Sequence, residues 1–279
     1  MILREPCLPP GWFPRQRENI EEFLEPFKEG KQTLLPAVAA IAPHAGWYYS
    51  GRLAALAVSS LASGAETVVV IGGHLPRGAP VLAAREDGVK TPFGAMMIDS
   101  ELREAFGKRI TIAPDNYKDN TVEVLLPMAH YFFPESKLLW LRFPAEVSSF
   151  EAGKILAETA VNLGRKIAVL SSTDLTHYGR NYGFNPKGSG KPALEWVKKS
   201  NDAAFINAVL GGDAALALKR AEDDSSACSA GAVLGALGFA FPKGKKAKLL
   251  EYSTSADVPE SEDDDVPDSF VGYAAISFG

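Results

Sequence analysis

The chain has 279 residues, 46% hydrophobic and 23% charged, which is the profile of a soluble globular protein with room for one large domain or two small ones. Its formal net charge is −5, with Lys and Arg mixed among Asp and Glu, which excludes the basic face that nucleic acid or an anionic membrane surface would need. No window approaches the ~18 apolar residues of a membrane span, and the N-terminal MILREPCLPPGWFPR lacks the leader and apolar core of a signal peptide, so the expected location is cytoplasmic.

In chain order, apolar β-branched runs alternate with longer amphipathic segments. This is the pattern of an α/β protein with a largely parallel central sheet flanked by helices. The first strand is expected at Ala37–Ile41 (AVAAI), followed by a helix over Gly51–Ser63. Thr67–Ile71 (TVVVI) reads as the second strand, with helices after it at Ser100–Phe106 and Val122–Phe132. Leu138–Phe143 (LLWLRF) is the third, Ser149–Leu163 a helix, and Lys166–Leu170 (KIAVL) the fourth strand. The stretch 178–192, rich in Gly, Pro and Asn, reads as a surface excursion forming a lid or pocket rim. A helix over Ala193–Leu210 and strands near Lys248–Tyr252 and Val271–Ser277 complete the order. The acidic run Glu260–Asp268 (ESEDDDVPD) reads as a solvated loop. With no linker and no internal repeat, residues 1–279 are expected to form a single domain.

Three of the four histidines share one address. His44 follows AVAAI, His74 follows TVVVI, and His177 follows KIAVL. Ligands of open α/β sheets bind at the carboxyl ends of the strands, so the three are expected to converge in one cleft. His130, within the apolar PMAHYFF, is expected to pack and not to join them. Asp174, three residues before His177, could orient that imidazole as a general base or could simply cap a helix. The two cysteines, Cys7 and Cys228, are far apart and read as independent thiols. Ser225 or Ser226 could cap a small-residue helix beside Cys228, which would lower the thiol pKa and favour ligand or nucleophile chemistry; a packed core thiol is the plainer alternative.

These motifs resemble the Memo family, also called AmmeMemoRadiSam system protein B, whose fold is similar to class III extradiol ring-cleavage dioxygenases. The resemblance runs through REPCLPPGWFP, APHAGWYYSG, IGGHLPRG, DNTVEVLLP, SSTDLTHYG and the Cys228 segment, in that order. It implies a metal site of His44, His74 and Cys228, with His177 as acid/base, Asp174 beside it, Trp12 and Tyr49 lining the pocket, and Glu123 behind the ligands. The chain departs from the family pattern at Ile71, Gly72 and Gly73 before the second histidine, at Asn120 where a histidine is usual, and at Ser229 after the cysteine.

Extradiol enzymes hold Fe(II) with two His and one carboxylate; a thiolate in place of the carboxylate shifts preference toward copper, zinc or thiolate-tolerant iron. The expectation is therefore a metal-dependent oxidoreductase of dioxygenase-like fold, using Fe(II) or Cu, with Zn also open, on a small aromatic or phenolic substrate. The alternatives are a non-enzymatic module holding a peptide or phospho-ligand in the same cleft, and a zinc-dependent hydrolase. Family resemblance also suggests AMMECR-type and radical-SAM partner proteins.

Overall fold

The structure, a computed structural model, describes residues 1–30, 35–258 and 266–279. Among the described residues twelve strands form in chain order: β1 (Leu3–Arg4), β2 (Ala39–Ala42), β3 (Thr67–Leu75), β4 (Val81–Ala83), β5 (Gly88–Thr91), β6 (Gly94–Met97), β7 (Ile112–Pro114), β8 (Lys137–Pro144), β9 (Ile167–Ser172), β10 (His177–Gly179), β11 (Ala247–Thr254) and β12 (Ser269–Phe278). Nine of them make one sheet in the order β10-β12-β2-β9-β3-β8-β4-β7, with β11 paired to β12, while β1, β5 and β6 make a small separate sheet. The neighbours β2, β9, β3 and β8 run parallel. Antiparallel pairings flank them, β12 against β2, β10 and β11 on one side and β4 against β8 on the other. The sheet is thus mixed, with a parallel centre.

The central strands are apolar throughout because both faces are covered. On one face lie Ile41, Val69, Ile71, Leu139, Leu141, Phe143 and Val169, and on the other Ala40, Val68, Val70, Leu138, Trp140, Ala168 and Leu170. The alternation fixes register, since a one-residue slip would send every side chain to the opposite layer.

The helices are α1 (Arg17–Gly30), α2 (Trp47–Ser60), α3 (Ser100–Gly107), α4 (Asn120–Glu123), α5 (Leu126–Phe132), α6 (Ser148–Asn162), α7 (Lys191–Trp196), α8 (Asp202–Leu210), α9 (Ala214–Asp223) and α10 (Ala230–Ala240). The single helix expected over Val122–Phe132 is two, because Pro127, in the first turn of α5, has no N–H to continue the ladder from α4. The helix expected from Gly51 begins four residues earlier at Trp47. That expected over Ala193–Leu210 is α7 and α8 joined by a π-helical turn over Val197–Asn201. Helices α1 and α9 and the short strands lie outside the sequence reading.

Helix α10 is buried along its whole length and begins two residues after Cys228. Small residues let it approach α6 backbone to backbone: a Cβ on Gly153 would lie 2.2 Å from the Gly235 carbonyl oxygen. Its N-cap is Ser229, not the expected Ser225 or Ser226. Residues 260–265 of the acidic run lie outside the described residues. No helix of the described residues is long and apolar enough to cross a membrane.

Candidate metal centre

The carboxyl ends of β2, β9 and β3 are adjacent in the sheet, and His44, the 173–177 loop and His74 emerge from them. A cavity of about 710 Å³ opens there, lined by His44, His74 and His177 together. His130 stands apart: its Nδ1 lies 2.6 Å from Thr91 Oγ1 and its ring packs against Phe93.

His44 is fully buried and held on three sides. Its N–H donates to Asp174 Oδ1 at 2.7 Å, and its carbonyl accepts from Asn120 Nδ2 at 2.9 Å. Its ring Nδ1 lies 3.0 Å from Ser172 Oγ. Ser172 spends its single hydroxyl proton on the Thr121 carbonyl, so it can only accept from His44. Nδ1 therefore carries a proton, and Nε2 is the nitrogen that faces the centre. That nitrogen lies 3.2 Å from Cys228 Sγ.

His74 is aimed by a bulge at the end of β3. Gly72 pairs with Arg142 and Leu75 with Pro144, so two residues of β3 stand opposite one of β8, and His74 adopts φ of 55°. Gly73 admits this because its Cβ position, 2.4 Å from Ser229 Cβ, has no room for a side chain. His74 Nδ1 lies 3.0 Å from Asp119 Oδ2, and the carboxylate can only accept, so Nδ1 is again the protonated nitrogen. Burial disfavours the charged ring of His74, but the bonds to Asp119 and Cys228 outweigh it and raise its pKa to about 10. Burial likewise opposes ionisation of Asp119, yet His74, Thr121 and Arg142 hold it well below the usual carboxylate range.

The third member, Cys228, is partly buried. Burial would raise its thiol pKa; the His44 ring, and a hydrogen bond with His74, bring it down to about 6, so it is a thiolate at neutral pH. The ligating atoms of His44, His74 and Cys228 all lie within 4.8 Å of one another, and this is the one such group of His, Cys, Asp or Glu among the described residues. Tetrahedral ligands at bond lengths of about 2.1 and 2.3 Å stand roughly 3.4–3.6 Å apart, so a modest contraction would close the group on an ion. The donor set fits a metal: two imidazoles whose Nδ1 atoms are tied off, so that each would bind through Nε2 once any proton there is displaced, one cysteine sulfur, and a carboxylate behind one of the rings. Three protein ligands leave further coordination positions to the cavity.

His177 begins β10 and lines the same cavity. Its Nδ1 donates to the Leu175 carbonyl at 3.1 Å, leaving Nε2 as the basic nitrogen. Asp174, expected to orient this ring by a hydrogen bond, instead accepts from the His44 N–H and meets His177 through charge alone. Burial pushes the Asp174 carboxyl above its ordinary value, against the pull of His177. Edge-on at 5.0 Å, Tyr182 packs against the His177 ring, so part of the 178–192 stretch does form the rim.

The loop between Asp174 and His177 is pinned from behind by Asp202. Its Oδ1 accepts from Thr176 N at 3.1 Å and from the Thr176 hydroxyl, and its Oδ2 from Tyr252 at 2.7 Å. Burial raises the Asp202 carboxyl from 3.8 to about 6. A carboxyl raised by folding stabilises the fold fully below its unfolded value, and that contribution is lost as pH rises through the folded one. Between about pH 4 and pH 7.5, wild type is expected to lose roughly 2 kcal/mol of unfolding free energy relative to Asp202→Asn. Denaturant titrations of both proteins across that range check this; parallel stability curves would contradict it.

One turn of helix organises the centre. Asp119 caps α4 through Thr121 N at 2.8 Å while binding His74, Asn120 holds the His44 carbonyl, and Thr121 Oγ1 accepts from Gly73 N at 3.2 Å. Glu123 accepts from Cys7 N and Leu8 N, each within 2.9 Å, and from the Cys7 thiol at 2.8 Å. Burial and this neighbouring carboxylate push the Cys7 thiol up to about 11. Glu123 thereby ties down the N-terminal segment that brings Trp12 to the cavity, and Trp12 O accepts from Trp47 N at 2.8 Å. Tyr49, on the first turn of α2, lines the cavity as well.

Sequence reasoning missed Asp119, Ser172 and Arg142. The visible signal for Arg142 is a lone cation inside the apolar run LLWLRF, which demands a buried partner. Asp119 reads in sequence as an ordinary N-cap, and nothing local marks Ser172.

The Memo-like protein family profile matches residues 4–277. A MEMO1 family protein of Archaeoglobus fulgidus is 30% identical over 99% of each chain. One from Methanosarcina mazei is likewise 30% identical over 99% of both chains. A solved structure of an uncharacterized protein from Escherichia coli K12 matches at 13% identity and a TM-score of 0.46, covering 86% of this chain and 99% of that one. The chain belongs to the Memo-like protein family.

Proposed function

We propose that this chain is a metal-dependent oxidoreductase acting on a small phenolic substrate, with His177 as its acid/base residue. One observation carries the reading: His44 and His74, whose ligating atoms lie within 4.8 Å of each other and of Cys228, line the same cavity as His177. The soft thiolate and two imidazoles favour iron or copper over magnesium or calcium. Bound there, such a metal would supply Lewis-acid and redox chemistry.

The chain's own residues do the rest. Trp12, Tyr49, Tyr182 and Tyr273 present aromatic walls to a planar ring. His177 Nε2, left open by the bond from Nδ1 to the Leu175 carbonyl, takes the proton of a substrate hydroxyl as it approaches the ligand group. Among the described residues lining the cavity there is no Lys or Arg, which disfavours a phosphorylated ligand.

Metal analysis of aerobically and anaerobically purified protein, paired with oxygen-uptake assays over a panel of phenols, tests this. The expected result is bound iron or copper with substrate-dependent oxygen uptake. Zinc with ester or amide turnover would replace the reading with a hydrolase. Peptide binding that survives metal removal would replace it with a binding module.

A further inference from the structure

Arg142 is 3% exposed in the middle of the sheet, so its charge must be answered within the protein. Its partners are the two carbonyls of the segment that presents His74 and two carboxylates beside it. Nε donates to the Gly73 carbonyl at 2.9 Å, and Nη2 faces the His74 carbonyl at 3.5 Å. The same Nη2 lies 3.2 Å from Asp119 Oδ2, the oxygen that receives the His74 Nδ1 proton, while Nη1 lies 3.5 Å from Asp115 Oδ1. Asp115 is itself anchored by Trp140 Nε1 at 2.8 Å.

These contacts fall on the bulge. Beyond the Gly72–Arg142 pair, Gly73 and His74 leave the regular register of β3 with β8, and their carbonyls turn toward the guanidinium. A non-glycine residue at φ of 55° persists only where its surroundings hold it. One planar cation here fixes both the peptide that carries His74 and the carboxylate that orients its ring.

We propose that Arg142 is a positioning residue for the metal centre, locking the bulged 73–74 backbone and Asp119 so that His74 Nε2 meets Cys228 and His44. The inference rests on the proposed metal site, and its test separates the two. Lysine would keep the charge but not the fork that serves two carbonyls and two carboxylates at once.

The test uses full-length protein freed of metal and titrated with Co²⁺, whose thiolate absorption reports Cys228 and whose competition with a chromophoric chelator gives affinity. Arg142→Lys is expected to weaken Co²⁺ binding by about 10–100-fold, with the thermal midpoint of the metal-free protein little changed. The Nδ1–H of metal-free His74, which Asp119 holds in wild type, should also exchange with water faster in the variant. Equal Co²⁺ affinity in the two proteins, or unchanged exchange of the His74 Nδ1–H, would overturn the proposal. If wild type binds no Co²⁺, the metal reading fails, and the exchange of the His74 Nδ1–H alone decides the role of Arg142. If Arg142→Lys does not fold, the double variant Arg142→Gln with Asp115→Asn removes the buried charges in balance and is read in the same way.

Discussion

Cys228→Ser is expected to collapse metal occupancy while the fold stays intact. Serine keeps the size and polarity of the side chain but offers a poorly ionising hydroxyl in place of a thiol, its pKa lowered to about 6, that lies 3.2 Å from His44 Nε2. Affinity should drop by more than the 10–100-fold typical of losing a residue behind a ligand. Because the sulfur binds only as thiolate, wild-type affinity should also fall as pH falls. A bound metal should shield Cys228 from alkylating reagents, and a chelator should remove that shield; Cys7, tied to Glu123, should respond to neither. Were Cys228 only a packed core thiol, the serine variant would keep its metal and lose roughly 1–3 kcal/mol of stability for burying a poorly satisfied hydroxyl. Peptide mass mapping after alkylation, with and without chelator, separates these outcomes.

His177→Ala is expected to leave metal content at the wild-type level and to lower oxygen uptake by about 10²–10⁴-fold, the usual contribution of a general acid or base. The reason is geometric. His177 faces the cavity but lies outside the ligand group, and the Leu175 carbonyl, not a metal or a carboxylate, fixes its tautomer. Metal loss in this variant would mean that His177 is itself a ligand. Uptake at the wild-type rate would remove it from the chemistry altogether.

The legible parts of this molecule are those whose physics is local. Strands such as TVVVI and LLWLRF announce themselves because burial on both faces leaves continuous apolar runs, and His44, His74 and His177 follow from the rule that sites gather at strand ends. What could not be read locally depends on contacts between distant segments. Cys228 reaches the centre because α10 is buried against α6 and starts two residues later, which only assembly of the layers decides. Asp119 does two jobs with one carboxylate, capping α4 and orienting His74, and the sequence displays only the first. The bulge that re-aims His74 has no residue signature beyond Gly72 and Gly73, which also suit an ordinary turn. Asp174 was placed beside His177 by spacing, yet its hydrogen bond goes to His44, 130 residues away in the chain.

In the proposed centre His44, His74 and Cys228 hold one metal ion between them. X-ray absorption of the reconstituted protein at the metal edge reads that ligand set. The predicted spectrum contains one sulfur at about 2.3 Å and two imidazole nitrogens at about 2.0–2.1 Å, with the sulfur contribution absent from Cys228→Ser. A metal surrounded by nitrogen and oxygen alone in the wild-type protein would contradict it.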